Sequence, residues 1–430
     1  MPDKPYEDVQ IEGHLIDSLM MPQIMDNIMD LDGEFEMLTF EVGRMKNDPS
    51  HAVMRIFGRD AAHLDELLTA VTEHGVVAVR PQDAVLEASD MDGVFPDRFY
   101  STTNLETFVR VAGEWMRVRH PEMDCGIRVH EAGGAAETVA MSDVKAGDRF
   151  VTGHRGIRVL PLERPRESQP FEFMASAVSS EKPKAQIVRA VARELRHVKQ
   201  QGGLTIAVVG PAVVHTGAAP HLARLIEAGY VGAVFGGNAV ATHDIESNLF
   251  GTSLGISLKE GTPIPGGHEH HLRAVNTIRR CGSIKAAVEQ GVLTGGLMHT
   301  LVKTGTPFVL AGSIRDDGPM PEVITDVMQA QKVMRGYAQK AGACLMLSTM
   351  LHSIAVGNML PASVRTVCAD INPAVVTKLA DRGSFQAIGI VTDVGLFVEQ
   401  LANELDTGGR GGPARGRFWA AKPHGQPKGY

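Results

Sequence analysis

From residue 181 onward the chain repeats one grammar: a short apolar run, a polar or glycine-rich stretch, then an amphipathic segment. The apolar runs are Leu204–Val209, Val231–Phe235, Phe308–Ala311, Cys344–Leu347, Val364–Ala369 and Ala387–Val391. Each is too short and too continuously apolar for a surface helix, and reads as a strand buried on both faces. The intervening segments Pro220–Glu227, His271–Arg280, Pro321–Lys340 and Pro373–Asp381 read as helices. A further helix opens at Pro183, carries Ile187, Val191, Leu195 and Val198 on one face, and stops at Gly202-Gly203. Strands of this kind alternating with amphipathic helices require a parallel sheet covered on both faces. The pattern predicts an α/β nucleotide-binding domain over residues 181–407.

In an open parallel sheet, ligands bind beyond the carboxyl ends of the strands. The stretches that follow the six runs are Gly210-Pro211, Gly236-Gly237-Asn238-Ala239, Gly312–Gly318, Ser348–His352, Asp370-Ile371-Asn372 and Thr392-Asp393-Val394. Six such stretches on one edge make a site of dinucleotide size. Glycines let backbone approach a pyrophosphate, and helix N-termini offer N–H groups to its oxygens. Asp370, at a strand end, has the placement of a carboxylate that accepts from a ribose diol. It competes with a role as N-cap of the helix opened by Pro373, for which Asn372 is better placed. The fingerprint GxGxxG is absent after the first strand, because Gly210–Gly217 matches neither it nor a Walker A loop. That absence argues against a conventional Rossmann loop and for a different nucleotide-binding geometry.

The N-terminal half reads differently. Within residues 1–90, strands are expected at Ile11–Ile16, Glu36–Val42 and Ala52–Phe57, and a helix at Pro22–Leu31. A second helix is capped by Asp60, carries Leu64, Leu67, Leu68 and Val71, and stops at Gly75. This βαββα order predicts a small ferredoxin-like α+β unit, a fold often used for regulation or dimerisation. Residues 91–180 carry short apolar stretches at Gly126–Val129, Thr138–Met141, Arg149–Val151 and Ile157–Val159, and predict a β-rich, partly closed domain. The segment from Pro161 to Pro170 reads as a linker, and the Gly-, Pro- and Arg-rich residues 408–430 as a disordered tail.

Several classes are excluded. A formal charge of −8, with no basic face before the extreme C-terminus, gives no footprint for nucleic acid. No apolar run approaches the ~20 residues that span a bilayer, and the polar start lacks a signal-peptide core. The four cysteines, Cys125, Cys281, Cys344 and Cys368, are far apart and read as thiols in a reducing compartment, the cytoplasm. Cys125 reads as a packed core thiol rather than a nucleophile. Gly266–His271 clusters three histidines but lacks partnering ligands at metal spacing, so no metal is expected.

At these strand-end stretches the chain resembles the archaeal-type, NAD-dependent ornithine cyclodeaminases. The same unit forms the C-terminal part of the cyanobacterial arginine dihydrolase/ornithine cyclodeaminase fusions. The resemblance rests on Ser179–Pro183, Val234–Val240, Phe308–Pro319 and Cys368–Pro373, with Phe99–Asn104 and Val159–Arg164 similar to the LOR/SDH conserved region. It covers the chain except its C-terminal tail. It implies a deoxyhypusine-synthase-like nucleotide-binding domain, consistent with the missing fingerprint. It also implies NAD contacts at Asn238, Ala239, Asp316, Thr349, Met350, Leu351, His352, Asp370, Asp393 and Val394. No guanidine-hydrolysing region precedes the α+β unit, so arginine dihydrolase activity is not expected.

The implied reaction converts L-ornithine to L-proline and ammonia, with a hydride leaving Cα and later returning. Such chemistry needs a cation for the substrate carboxylate and a base for the amine. Arg315 and Asp317 are the candidates, against a reading of the same residues as a salt-bridged turn. Two alternatives stay open: a net NAD(P)-dependent oxidoreductase on a related amino or imino acid, and a non-catalytic NAD or amino-acid sensor. The N-terminal unit and the resemblance both predict a homo-oligomer, a dimer or tetramer.

Overall fold

The computed structural model describes residues 4–16, 20–43, 48–130, 134–161, 184–257, 262, 267–316, 318–381 and 387–406. The expected linker beyond Pro161 and the expected tail lie outside the described residues. The described chain forms two compact units, one up to Pro161 and one from Lys184. Among the described residues no helix is long and apolar enough to cross a membrane.

The first unit opens with β1 (Tyr6–Gly13), α1 (Met20–Asp30), β2 (Glu34–Glu41), β3 (Ser50–Phe57), α2 (Ala61–Thr72) and β4 (Val77–Ala78). The antiparallel order β2-β3-β1-β4 is the ferredoxin-like one, completed by a two-residue strand that sequence patterning did not reveal. Asp60 caps α2 as expected, accepting the His63 backbone N–H at 2.9 Å. β1 starts earlier than its apolar residues indicated, because Arg55 on β3 pairs with Asp8 through two hydrogen bonds of 2.7 and 3.0 Å. Inward Val9, Ile11, Met54 and Ile56 meet Ile24, Ile28, Leu67 and Val71 of the helices. β2 is an edge strand with an irregular register at Met37/Thr39, and Leu38 and Phe40 are exposed.

A seven-stranded sheet follows, made of β5 (Val85–Ala88), β6 (Glu106–Val111), β7 (Glu114–Arg119), β8 (Gly126–Val129), β9 (Ala136–Val139), β10 (Arg149–Thr152) and β11 (Ile157–Leu160). Its order is β11-β6-β7-β9-β8-β10-β5, with no ladder joining β11 to β5 among the described residues. β8, β10 and β11 fall where their apolar stretches indicated, whereas β9 begins and ends two residues before the expected Thr138–Met141, because Met141–Asp143 forms a 3-10 turn. β6 and β7 were masked by the arginine and glutamate residues interleaved with their apolar ones, and β5 is only four residues long.

The second unit begins with α3 (Lys184–Gln200), β12 (Leu204–Val209), α4 (Ala212–His215), α5 (Ala219–Glu227) and β13 (Ala233–Gly237). A long excursion carries α6 (Asn238–Phe250), β14 (Thr252–Ser253), β15 (Ile256–Ser257), α7 (His270–Cys281), α8 (Ile284–Glu289) and α9 (Gly296–Thr304). The chain then returns through β16 (Phe308–Ala311), β17 (Val323–Ile324), α10 (Val327–Ala338), β18 (Ala341–Leu347), α11 (Leu351–Met359), β19 (Arg365–Asp370), α12 (Pro373–Asp381), β20 (Ala387–Val391) and α13 (Val394–Asp406).

The main sheet has the order β17-β16-β13-β12-β18-β19-β20 and is parallel throughout. Burial on both faces explains the continuous apolar strands. Ala207, Val209, Leu345 and Leu347 pack into one core, with Leu195, Leu222 and Leu401. Ile206, Val208, Cys344 and Met346 pack into the other, with Met334, Val356 and Leu379. One expectation is corrected: Pro321 opens no helix. Val323-Ile324 adds an edge strand beside β16, and α10 starts only after Asp326, which accepts the N–H groups of Met328 and Gln329.

Candidate active site

Strand order reverses between β12 and β18: the chain moves outward from β12 on one side and, after crossing back, outward from β18 on the other. Such a switch leaves a crevice above the carboxyl ends of the two central strands. The topology is therefore the ordinary doubly wound one, and only the loop after β12 departs from the common fingerprint. At that loop a Cβ on Gly210 would overlap the carbonyl of Ser348, and the Gly210 N–H donates to Leu347 O at 2.8 Å. The missing side chain of Gly210 thus serves backbone contact between the two central strand ends, not access to a pyrophosphate. Ser348 itself adopts φ 50°, a left-handed conformation uncommon for serine.

The helices after the strands differ in how their N-termini are satisfied. Asp326, Asn372 and Asp393 cap α10, α12 and α13, accepting from Met328, Ala374 and Leu396 N–H among others. α6 and α11, which follow the inner strands β13 and β18, begin at Gly237 and Met350 with no side-chain cap. Their first-turn N–H groups are free of intrahelical partners and suit an anion. The two starts adjoin: a Cβ on Gly237 would lie 3.4 Å from the His352 ring. Burial holds the His352 imidazole below the ordinary histidine range, which favours its neutral form.

The residues singled out from sequence distribute as follows. Asn238 and Ala239 open α6; Asn238 is buried and its Oδ1 accepts Met320 N–H at 3.0 Å, while Ala239 is exposed. Thr349 and Met350 lead into α11, and Leu351 is 75% exposed on its first turn. Asp370 ends β19, is only 7% exposed, and accepts Asn372 N–H at 2.8 Å. Its neighbour Asn372 takes the capping role, since its own Oδ1 accepts Ala374 N–H at 3.0 Å. Asp393 caps α13 and Val394 is buried behind it. Asp316 closes its own turn, accepting Ser313 N–H at 2.9 Å, and Arg315 is exposed. Asp317 lies outside the described residues.

A second group went unread. Glu246, fully buried on α6, accepts from His243 Nδ1 at 3.0 Å, from Thr252 Oγ1 at 2.9 Å and from Gly255 N–H at 3.2 Å. Thr252 also meets His270 Nδ1 at 2.8 Å, which gives that member of the histidine-rich stretch a side-chain partner. The His243 ring sits edge-on to His215, 4.8 Å between centroids, and His215 Nδ1 is hydrogen-bonded to Ser253 Oγ. Beside this group Asp244 is buried, accepts Leu297 and Met298 N–H at 2.8 Å each, and ties α6 to the start of α9. The pair His243 and Glu246, three apart, was the available signal. It was hidden because α6 places Thr242, Asp244 and Glu246 in its buried positions and shows no apolar stripe.

Fold and strand-end chemistry define the class: a Rossmann-type α/β protein with a ferredoxin-like companion unit. Comparison with known proteins narrows this. Residues 189–401 match the description "Arginine dihydrolase ArgZ-like, C-terminal, Rossmann fold", residues 106–188 its first region, and residues 6–105 the "LOR/SDH bifunctional enzyme conserved region". The chain belongs to this ornithine cyclodeaminase/ArgZ-like family. It is 52% identical over 406 residues to an ornithine cyclodeaminase of Methanocaldococcus jannaschii, covering 93% of this chain and 96% of the relative. A conserved LOR/SDH protein of Methanococcus maripaludis aligns with TM-score 0.72 and 52% identity over 76% of this chain and 99% of its own. The bifunctional AgrE of Nostoc, solved as a ternary complex with ornithine and NAD+, aligns with TM-score 0.51 and 43% identity over 94% of this chain and 58% of its own.

Proposed function

We propose that this protein is an NAD-dependent ornithine cyclodeaminase that converts L-ornithine to L-proline and ammonia and uses NAD catalytically. The observation that carries the reading is the pair of uncapped helix starts at Gly237 and Met350, beside a buried carboxylate at a strand end, in a chain that aligns with relatives of that name over nearly its full length.

The residues fit NAD. The α6 and α11 N-termini offer backbone donors to a pyrophosphate. Asp370 commits one oxygen to Asn372 and, as a carboxylate, retains further acceptor capacity for a ribose diol. Exposed Leu351 and Ile371 present apolar surface beside these groups. Bound NAD supplies a hydride acceptor that can also return the hydride. Arg315 anchors the substrate carboxylate, for which its guanidinium is a planar, permanently charged donor. The backbone contact between Gly210 and Ser348 keeps the two central strand ends in fixed spacing under the cofactor.

The protein works as a homo-oligomer in the cytoplasm, where thiols stay reduced. The edge strand β2, with Leu38 and Phe40 exposed, supports assembly through the first unit.

Incubation with ornithine and substoichiometric NAD, with ammonia and proline assayed together, tests the function. Equal yields of both without accumulating reduced nicotinamide are expected; stoichiometric reduced cofactor would instead identify a net oxidoreductase. Ornithine deuterated at Cα should give proline that keeps the label. Complete loss of label to solvent in every turnover would rule out hydride return.

A further inference from the structure

We propose that His215 is the proton acceptor for the substrate amine, held in its working tautomer by Ser253 and backed by the His243–Glu246 pair. This rests on the cyclodeaminase reading. An amine that is to lose a hydride from its carbon must first give up an ammonium proton; Arg315 has no acceptor to take it, and Asp317, the base candidate from sequence, lies outside the described residues.

His215 lies on the segment that leaves the carboxyl end of β12. It ends α4, the helix that follows β12 into the switch crevice, and its ring is half-buried. Next to it, Thr216 contacts the start of α13: a Cβ on Gly395 would lie 2.7 Å from Thr216 O and 3.0 Å from Asp393 Oδ1. On the other side α4 packs against α6, whose first residues open at the same carboxyl edge. The group therefore continues the strand-end surface and is not a remote core feature.

Its chemistry is directional. Glu246 is acceptor-only as a carboxylate, so His243 Nδ1 carries a proton toward it. In the tautomer assigned to His215, Nδ1–H donates to Ser253 Oγ and the lone pair sits on Nε2. One ammonium proton passes to Nε2, the nitrogen keeps the bonding electrons as its lone pair, and no electron changes hands. The same proton later returns to the departing nitrogen as ammonia leaves, restoring His215. Desolvation and the neighbouring His243 lower the His215 pKa, while Glu246 raises it, so the imidazole is neutral and receptive at neutral pH. The titratable groups that act on it are His243 and Glu246, both on α6; Ser253 on β14 is its polar partner.

The test combines kinetics on the NAD-saturated enzyme with imidazole titration by NMR in the protein without ornithine. His215→Gln is expected to lower kcat/KM by ~10²-fold or more while NAD affinity stays within about twofold. Glu246→Gln removes the charge that raises the His215 pKa, so the acid limb of kcat/KM and the NMR titration of His215 should both move to lower pH. Should His215→Gln fail to fold, Ser253→Ala keeps the imidazole and frees its tautomer, and a loss in kcat of about tenfold is expected with KM unchanged. A folded His215→Gln that retains kcat/KM within about threefold, or an acid limb unmoved by Glu246→Gln, would overturn the proposal. A wild-type protein that makes no proline from ornithine would overturn the cyclodeaminase reading, and this proposal with it.

Discussion

Gly210 and Ser348 meet backbone to backbone: the α-carbon of one faces the carbonyl of the other across the two central strands, with no room for a methyl group between them. Gly210→Ala should therefore push β12 and β18 apart at the carboxyl edge. Overpacking at such a contact costs about 1–3 kcal/mol. The expected result is a lowered Tm together with weakened NAD binding, read by thermal unfolding and by calorimetric titration of the cofactor.

Asp370→Asn leaves an oxygen for the Asn372 N–H and removes the charge offered to the ribose. Hydrogen bonds to charged groups are worth about 1.5–3 kcal/mol, so NAD should bind roughly ten- to a hundredfold more weakly. Unfolding should change little, because Asn372 carries the cap of α12. Equal affinity in the variant and the wild type would remove Asp370 from the cofactor site.

Asp244→Ala strips the acceptor shared by Leu297 and Met298 and leaves both amides buried and unpaired. A cost of about 2 kcal/mol or more is expected. pH dependence distinguishes this from simple loss of packing. Burial raises the Asp244 carboxyl to about 6, against the two backbone N–H bonds, from an ordinary 3.8. The folded state thus binds this proton more tightly than the unfolded state. The associated stability is fully present below pH 3.8 and is lost as pH rises through about 6. Denaturant unfolding across that window should show a smaller decline in the variant than in the wild type.

The strands of the main sheet were legible because burial on both faces leaves an almost unbroken apolar run, as in Leu204–Val209, whose bounds coincide with β12. α6 was illegible for the converse reason. Its buried positions include Thr242, Asp244 and Glu246, and the two carboxylates sit inward because Leu297, Met298, Thr252 and Gly255, all beyond the helix, donate to them. The candidate site divides along the same line. Asp370 could be located because a strand end is a local feature. Asp393, singled out on the same reasoning, is also the cap of a helix that patterning had not revealed. His215, His243, Glu246 and Ser253 come from three elements, and no periodicity links them.

Phe40→Lys, with Leu38→Lys as companion, tests the exposed edge of the first unit. A positive charge on a strand edge blocks strand-to-strand addition. Light scattering should show a smaller assembly for the variants than for the wild type. An unchanged mass would place the assembly contact elsewhere.

The excursion between β13 and β16 also bears on the order of folding. β12 and β13 are joined by two short helices, whereas β16 can pair with β13 only after the chain from Asn238 to Pro307 has closed on itself. Closing so long a segment is entropically costly, and distant pairings form slowly. Asp244 bonds the start of α9 and so joins the first helix of the excursion to the last. In refolding, the amides of Leu204–Val209 should gain protection from hydrogen exchange before those of Phe308–Ala311. Weakening Asp244 should widen the interval, so that one half of the sheet waits longer for the other.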